Sequence, residues 1–372
     1  MITMRQVKMY RPQVPADALP RLKTILDRGW FGLGPETAAF EQELSALPEV
    51  GGHVVGVNSG TAALHLALHV SGVSPGTSVI VPANTFISTA AVVVQHGCHV
   101  VLADIDVSTG NIDTSHVREL LRNRNDISAV IPVHYSGIPC ELAELNMIAA
   151  EYRLTIIEDC AHAIGAVHQG LPLGKYNNIR AYSFHATKVV PIGEGGCVTF
   201  PTEEMADRAR RLRRLGIDSS QADWSSPYEI EELGFKYNMN DMAAVLGRSQ
   251  LAVLPQRIAR RRDIIARYTR SVSSPDIWPV MPRRATDRTG AFAFSVRVEE
   301  HVRDHARRRL AEAGVQTEIY FKSLDSFRIG LSGAVPKARK FSKEVISLPI
   351  HDAMSDDDVD YVADHLIGAT AS

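Results

Sequence analysis

The sequence is poor in cysteine, carries almost no net charge and has no long apolar run, and each scarcity excludes a class of protein. The four cysteines, Cys98, Cys140, Cys160 and Cys197, lie far apart with no C-x-x-C pair. Neither a zinc knuckle nor a disulfide framework is encoded, and the thiols are expected to be buried. No stretch approaches the roughly eighteen apolar residues of a membrane span. The opening "MITMRQVKMYRPQVPADALP" has charges and prolines where a signal peptide needs an unbroken apolar segment. A soluble cytoplasmic protein with no membrane partner is expected. The formal net charge of −2 gives no field that would gather nucleic acid. Two local basic runs, "RARRLRRL" (208–215) and "RIARRRD" (257–263), are expected to solvate helix faces, with anion binding as the alternative. There is no internal repeat and no low-complexity linker.

Hydrophobic residues make up 45% of the 372 positions, enough for a large core. Strand-length runs rich in Val and Ile recur: "SVIVP" (78–82), "HVVLADI" (99–105), "ISAVIPV" (127–133), "LTIIED" (154–159), "AYSF" (181–184) and "GCVTF" (196–200). They do not alternate, so they fit strands covered on both faces. Between them "TSHVRELLRNR" and "ELAELNMIAAEY" carry apolar residues at helical spacing, as crossover connections require. The pattern predicts an α/β domain with a mostly parallel mixed sheet flanked by helices, over 1–250 and including the N-terminal segment. From 251 to 372 the texture becomes that of a small α+β domain. "SQLAVLPQRIARRRDIIARYTRSV" reads as a long helical segment broken or preceded by Pro255, "AFAFSVRV" as a half-buried strand, and "VQTEIYF" as another strand. "HVRDHARRRLAEAG" reads as a helix ending at Gly314, and "SDDDVDYVADHLIG" as a closing helix.

Several stretches carry chemistry. In "VVGVNSGTAAL" (54–64) a strand runs through small residues into a helix, so the N–H groups of Gly60 and Thr61 are free to receive a phosphate. An ordinary helix cap on Ser59 or Asn58 explains the same residues. "IIEDCAHAIGA" puts Glu158 and Asp159 at the end of an apolar strand, where α/β sheets bind ligands. Asp159 there suits a protonated ring nitrogen, with His162 bonding the same ligand. A structural cap, or zinc held by His134, His162, His168 and His185, are the alternatives. In "SFHATKVVPIGEGG" (183–196) Lys188 follows a strand, with Ser183 near enough to bind phosphate and Gly193, Gly195 and Gly196 allowing close backbone approach. A desolvated lysine in such a cleft is a nucleophilic amine; elsewhere it is a solvated charge. "ELGFKYNMNDMAAVLG" (232–247) leads from a polar loop into a helix capped by Asn240 or Asp241, and its Asn238 is either a phosphate contact or a turn residue.

These segments in this order resemble the nucleotide-sugar aminotransferases of the DegT/DnrJ type, a pyridoxal phosphate-dependent family of fold type I. The likeness runs from "RGWFGLGPETAAFEQEL" through "VNSGTAALHLAL", "VPANTFISTAAVV", "EDCAHAIGA", "SFHATKVVPIGEGGCV" and "LGFKYNMNDMAAVLG" to "SLPIHDAMSDDDVDYV". It implies that Lys188 forms the Schiff base with pyridoxal 5'-phosphate and that Asp159 pairs with the pyridinium nitrogen. It places Phe86 against the ring face opposite the substrate and His162 beside the ring. Gly60, Thr61 and Ser183 would bind the phosphate, joined by Asn238 of a neighbouring subunit, so a homodimer with a shared active site is implied. The reaction implied is transfer of an amino group from glutamate or glutamine to a keto sugar, nucleotide-linked, giving an amino sugar for a polysaccharide or glycosylated metabolite. Relatives that dehydrate carry histidine at the Schiff-base position; Lys188 favours transamination. "TEIYFKSLDSF" departs from the usual "IHYxPLH"-like stretch, and His185, Tyr320 and Lys322 are the expected substrate contacts. A keto-cyclitol as acceptor, an inactive regulatory protein of the same fold and a histidine-based metal hydrolase are the competing functions.

Overall fold

The uninterrupted apolar runs become buried strands, and because neighbouring parallel strands must be joined by a crossover, helices fall between them. The computed structural model describes residues 5–218 and 229–371. In chain order come α1 (Ala18–Arg28), α2 (Pro35–Ala46), β1 (His53–Val57), α3 (Gly60–Val70), β2 (Ser78–Pro82), α4 (Ile87–Gln95) and β3 (His99–Ala103). Then follow α5 (Thr114–Asn123), β4 (Ile127–Val130), α6 (Leu142–Tyr152) and β5 (Thr155–Asp159). A short hairpin of β6 (Val167–His168) and β7 (Leu171–Pro172) precedes β8 (Ile179–Ser183), β9 (Gly196–Phe200) and α7 (Glu203–Leu212).

The large sheet has seven strands in the order β1-β9-β8-β5-β4-β2-β3. β3, β2, β4, β5 and β8 pair in parallel, whereas β9 is antiparallel to both β8 and β1. All residues of β2 and β9 are buried, as helices on both faces demand. On one face α3 and α7 pack through Leu66, Ala67, Ala206 and Ala209. On the other, α2 and α6 pack through Phe40, Leu44, Leu145 and Ile148. The carboxyl ends of β1, β5 and β8 thereby meet along one edge, the place where such sheets bind ligands.

Beyond α8 (Asp241–Ala252) and α9 (Leu254–Ser271), β10 (Trp278–Pro279), β11 (Phe294–Arg297), α10 (Glu300–Glu312), α11 (Pro336–Glu344), β12 (Val345–Leu348) and α12 (Asp356–Thr370) build a second, three-stranded antiparallel sheet, order β10-β11-β12. The break at Val253, with Pro255 in the first turn of α9, is the one the sequence marked. Ser355 and Asp358 form the capping box that starts α12. Residues near the start of the chain join this unit: Val7 bridges Val315, and Met9 N–H donates to Gln316 Oε1 at 3.1 Å.

Three local expectations change. β11 is buried on both faces, because Ser295 on its polar side meets Ser347 Oγ at 2.9 Å and the Tyr135 hydroxyl at 3.1 Å. "VQTEIYF" forms no strand: Val315 pairs once with Val7 and Glu318 once with Ser347, so the segment passes between two partners without following either. The basic runs solvate their helix faces only in part. Arg213, Arg257 and Arg261 are buried, Arg213 on Glu41 and the other two on Asp352, while Arg208 and Arg210 pair with Glu232 and Glu203.

Asn240 and Asp241 divide the capping work. Asn240 caps its own helix through Ala243 N at 2.9 Å. Asp241, fully buried, reaches back to the start of α2, accepting from Thr37 N at 3.0 Å, Thr37 Oγ1 at 2.9 Å and Glu36 N at 3.3 Å. The residue that precedes α2 at its cap position is Gly34, which has no side chain to do this. Asp241→Ala is expected to lower unfolding free energy by about 2–4 kcal/mol, since it strands buried donors at a helix start. Urea denaturation measures it; an unchanged midpoint would show that α2 needs no borrowed cap.

Candidate active site

β1 ends at Val57, and the chain turns through Asn58 and Ser59 into α3 directly against the ends of β8 and β9. A Cβ on Gly60 would lie 2.7 Å from Ser183 Cβ, and one on Gly196 2.6 Å from the Ser59 carbonyl. Only glycine allows either approach. Ser59 caps α3 by accepting from Ala62 N at 3.0 Å, which leaves the N–H groups of Gly60 and Thr61, without intrahelical acceptors, at the positive end of the helix. The Ser59 cap does not consume these two donors, so it is compatible with the anion cradle that was its alternative.

This turn borders a cavity of about 460 Å³ whose walls include Ser59, Gly60, Thr61, Asp159, Ser183 and Lys188. Asp159, at the end of β5, is buried; its carboxylate accepts from Thr89 Oγ1 at 2.9 Å and Ala161 N at 3.1 Å. Burial raises its pKa against the opposing pull of those donors and of Lys188. Lys188 follows the strand-end turn, its N–H bonded to His185 O at 2.8 Å. Its amine forms no ion pair among the described residues and lies 4.5 Å over the Phe292 ring. Desolvation lowers its pKa from 10.5 to about 8, with Asp159 pulling the other way.

His162 stacks on Phe292, centroids 3.8 Å apart and planes 8° from parallel. Burial, and secondarily Lys188, hold it well below its ordinary pKa, so it is neutral. Its Nδ1 is buried without a partner among the described residues. Phe86 faces the same cavity but is 60% exposed, 6.3 Å from Phe321. Tyr320 and His185 also line the cavity, His185 being exposed and bonded to Thr187 Oγ1 at 3.0 Å.

Two expected residues lie elsewhere. Lys322 is exposed and sits 4.8 Å over Phe327, outside the cavity walls. Asn238 bridges Val57 beside the end of β1, also outside the walls, with its side-chain oxygen buried and unpartnered among the described residues. The four histidines weighed as a zinc set do not converge. His134 bonds Glu158 at 2.8 Å and His168 lies 3.6 Å from Asp287, each apart from His162 and His185. Sequence reasoning missed Phe292, Thr89 and Tyr10. The first two stand in stretches already singled out, "AFAFSVRV" and "NTFIST", and a hydroxyl one turn beyond Phe86 was a usable signal for Thr89. Nothing in the sequence around Tyr10 marks it as a cavity wall.

The comparisons with known proteins bear on this geometry. The model of the DegT/DnrJ/EryC1/StrS aminotransferase family matches residues 12–367. The chain belongs to that family. It is 34% identical to the spore coat polysaccharide biosynthesis protein SpsC of Bacillus subtilis, over 94% of each chain. Among solved structures it is similar to the aminotransferase TlmJ from Streptoalloteichus hindustanus, with TM-score 0.92, 30% identity and 99% of each chain covered. It is equally similar to the pyridoxal phosphate form of the putative sugar aminotransferase Spr1654 from Streptococcus pneumoniae, with TM-score 0.92, 29% identity, and 98% of this chain and 99% of that one covered. As a member of the family the protein is a fold type I, pyridoxal phosphate-dependent transaminase.

The residues present fit that cofactor. The start of α3 suits a phosphate, the unpartnered His162 Nδ1 awaits a polar neighbour, and a buried carboxylate such as Asp159 calls for a cationic N–H to favour its charged form.

A lysine pKa near 8 leaves about a tenth of the amine neutral at pH 7, roughly 300-fold more than at the ordinary 10.5. Lys188 should therefore react with pyridoxal phosphate or another aldehyde along a titration curve centred near pH 8, rising as pH rises. Borohydride trapping of the apoprotein with peptide mapping measures this, and a midpoint above pH 10 would contradict the desolvated site.

Proposed function

We propose that the enzyme transfers an amino group from glutamate or glutamine to a nucleotide-linked keto sugar, forming an amino sugar for a polysaccharide or glycosylated metabolite. The observation that carries this reading is the meeting of the Lys188 amine, the Asp159 carboxylate and the start of α3 in one cavity. The likeness to a spore coat polysaccharide protein and to sugar aminotransferases supports the choice of acceptor. An inactive regulatory role is disfavoured because a binding protein has no use for a lysine with a depressed pKa beside a buried aspartate.

Lys188 would hold pyridoxal phosphate through its amine, with Gly60, Thr61 and Ser183 on the phosphate, Asp159 on the ring nitrogen, and Phe86 and His162 about the ring. When bound, the cofactor supplies an electron sink for the carbon that loses its proton. Lys188 Nζ, when not anchoring the cofactor, would be the base that carries that proton, and a pKa near working pH suits an amine that must both take and return it. Asp159, held in one orientation by Thr89 and Ala161, would meet the ring nitrogen. Tyr320 and His185, on the cavity wall, are the substrate contacts in this reading. Lys322, turned to Phe327, has no part in it.

Asn238 stands outside its own chain's cavity, which supports its reaching the phosphate of a second subunit in a homodimer. That the four cysteines are all free and buried supports a cytoplasmic setting, and among the described residues no helix is long and apolar enough to cross a membrane.

Two experiments test the assignment. Lys188→Ala should keep the circular dichroism of the parent but lose at least about 1,000-fold in turnover with glutamate and keto sugar; full turnover would overturn it. For the shared site, Lys188→Ala and Asn238→Ala proteins, each impaired alone, should regain about a quarter of parental activity when unfolded and refolded together. Random pairing places one intact site in half of the dimers. No recovery beyond the sum of the separate proteins would remove Asn238 from the neighbour's site.

A further inference from the structure

"HLALH" at 65–69 places two histidines four residues apart, on one face of α3. His96, the residue that ends α4, is brought against them. The His65 and His69 rings stand 4.7 Å apart at 87°, and the His69 and His96 rings 4.3 Å apart at 88°. One nitrogen from each of the three lies within 4.8 Å of the others. None of these residues lines the catalytic cavity.

The hydrogen bonds fix which nitrogens are free. His96 Nε2 is 2.7 Å from Val73 O, an atom that only accepts, so Nε2 carries the hydrogen and Nδ1 the lone pair. That Nδ1 is buried with no partner among the described residues. His65 Nδ1 is 2.8 Å from the Tyr237 hydroxyl, and its Nε2 is likewise buried and unpartnered. Both residues are only 7% exposed. One ring nitrogen held by an outer partner and the other bare is how metal-ligating histidines are arranged, and two bare polar nitrogens in a packed interior otherwise carry a desolvation cost.

We propose that His65, His69 and His96 bind one divalent transition-metal ion, zinc being the best match. Imidazoles suit zinc, copper, nickel or cobalt and do not suit magnesium or calcium. Zinc–nitrogen bonds of about 2.0–2.1 Å set tetrahedral nitrogens about 3.3 Å apart, so from a spacing within 4.8 Å the rings need to move inward by at most about 1.5 Å. His69 is half-buried and gives access. Phe235 covers the cluster at 4.9 Å from His65 and 4.7 Å from His69, and nearby Glu232 is engaged by Arg208. The fourth position is left to water. The ion would clip together α3 and α4, the two helices whose first residues border the cavity, and it is independent of the transfer chemistry.

The test uses the full chain with its cofactor, dialysed against a chelator and then titrated with Zn²⁺ by calorimetry and with Co²⁺ by visible absorption. One ion per chain, with the intense cobalt bands of a four-coordinate site, is expected. His69→Ala, at a half-buried position, should weaken zinc at least about 100-fold, Tyr237→Phe about 10-fold, and His69→Cys should restore binding. Zinc should raise the melting temperature of the parent and leave that of His69→Ala unmoved, with transaminase turnover the same in both. Binding that survives in His69→Ala, or a weak six-coordinate cobalt spectrum, would overturn the site and leave the three rings as aromatic packing against Phe235.

Discussion

Everything at the catalytic edge depends on one backbone contact: the turn from β1 into α3 lies directly against the ends of β8 and β9. The missing side chains of Gly60 and Gly196 make it possible, and the single antiparallel strand, β9, makes it necessary by setting β1 beside the parallel set. The start of α3 is thus delivered to Ser183, and Lys188, five residues past Ser183, comes with it. Because β9 is antiparallel to both neighbours, β1 runs in the same direction as β8, and the helix start and the lysine share one edge.

Within that frame the chemistry is set by desolvation rather than by ion pairing. The same burial that lowers the pKa of Lys188 raises that of Asp159 and keeps His162 neutral. Lys188 and Asp159 each partly oppose the other's shift. Phe292 does much of the excluding, with one face of its ring against His162 and the lysine amine above it. The cavity is therefore a poor solvent for isolated charge and a good one for a zwitterionic ring that brings its own complementary groups.

Strands buried on both faces announce themselves as continuous Val and Ile, which is why those of the large sheet could be read directly. Residues at their carboxyl ends, Asp159, Ser183 and Lys188, were legible for the same reason: position on such a strand fixes position in the site. What could not be read depends on distant partners. Asp241 caps a helix 204 residues earlier, and Arg257 and Arg261 looked solvated because their shared partner, Asp352, lies far along the chain. "VQTEIYF" has strand composition, but its backbone is claimed at one point by Val7 and at another by Ser347. The pair in "HLALH" was visible; its third member, His96, is a helix end that only the fold brings near.

The cavity is walled from both ends of the chain. Tyr10 comes from the segment that Val7 and Met9 fasten to residues 315 and 316, and Phe292, Tyr320 and Phe321 come from the C-terminal unit. Lys188, Asp159 and the start of α3 all belong to the large sheet and its connections, while the early segment docks on residues of the C-terminal unit. The reactive groups therefore sit in a vessel whose wall is completed by residues from outside the large sheet, rather than in a trough built by that sheet alone. Covering the amine thus depends on the docking of segments far apart in sequence, not only on the sheet that carries it.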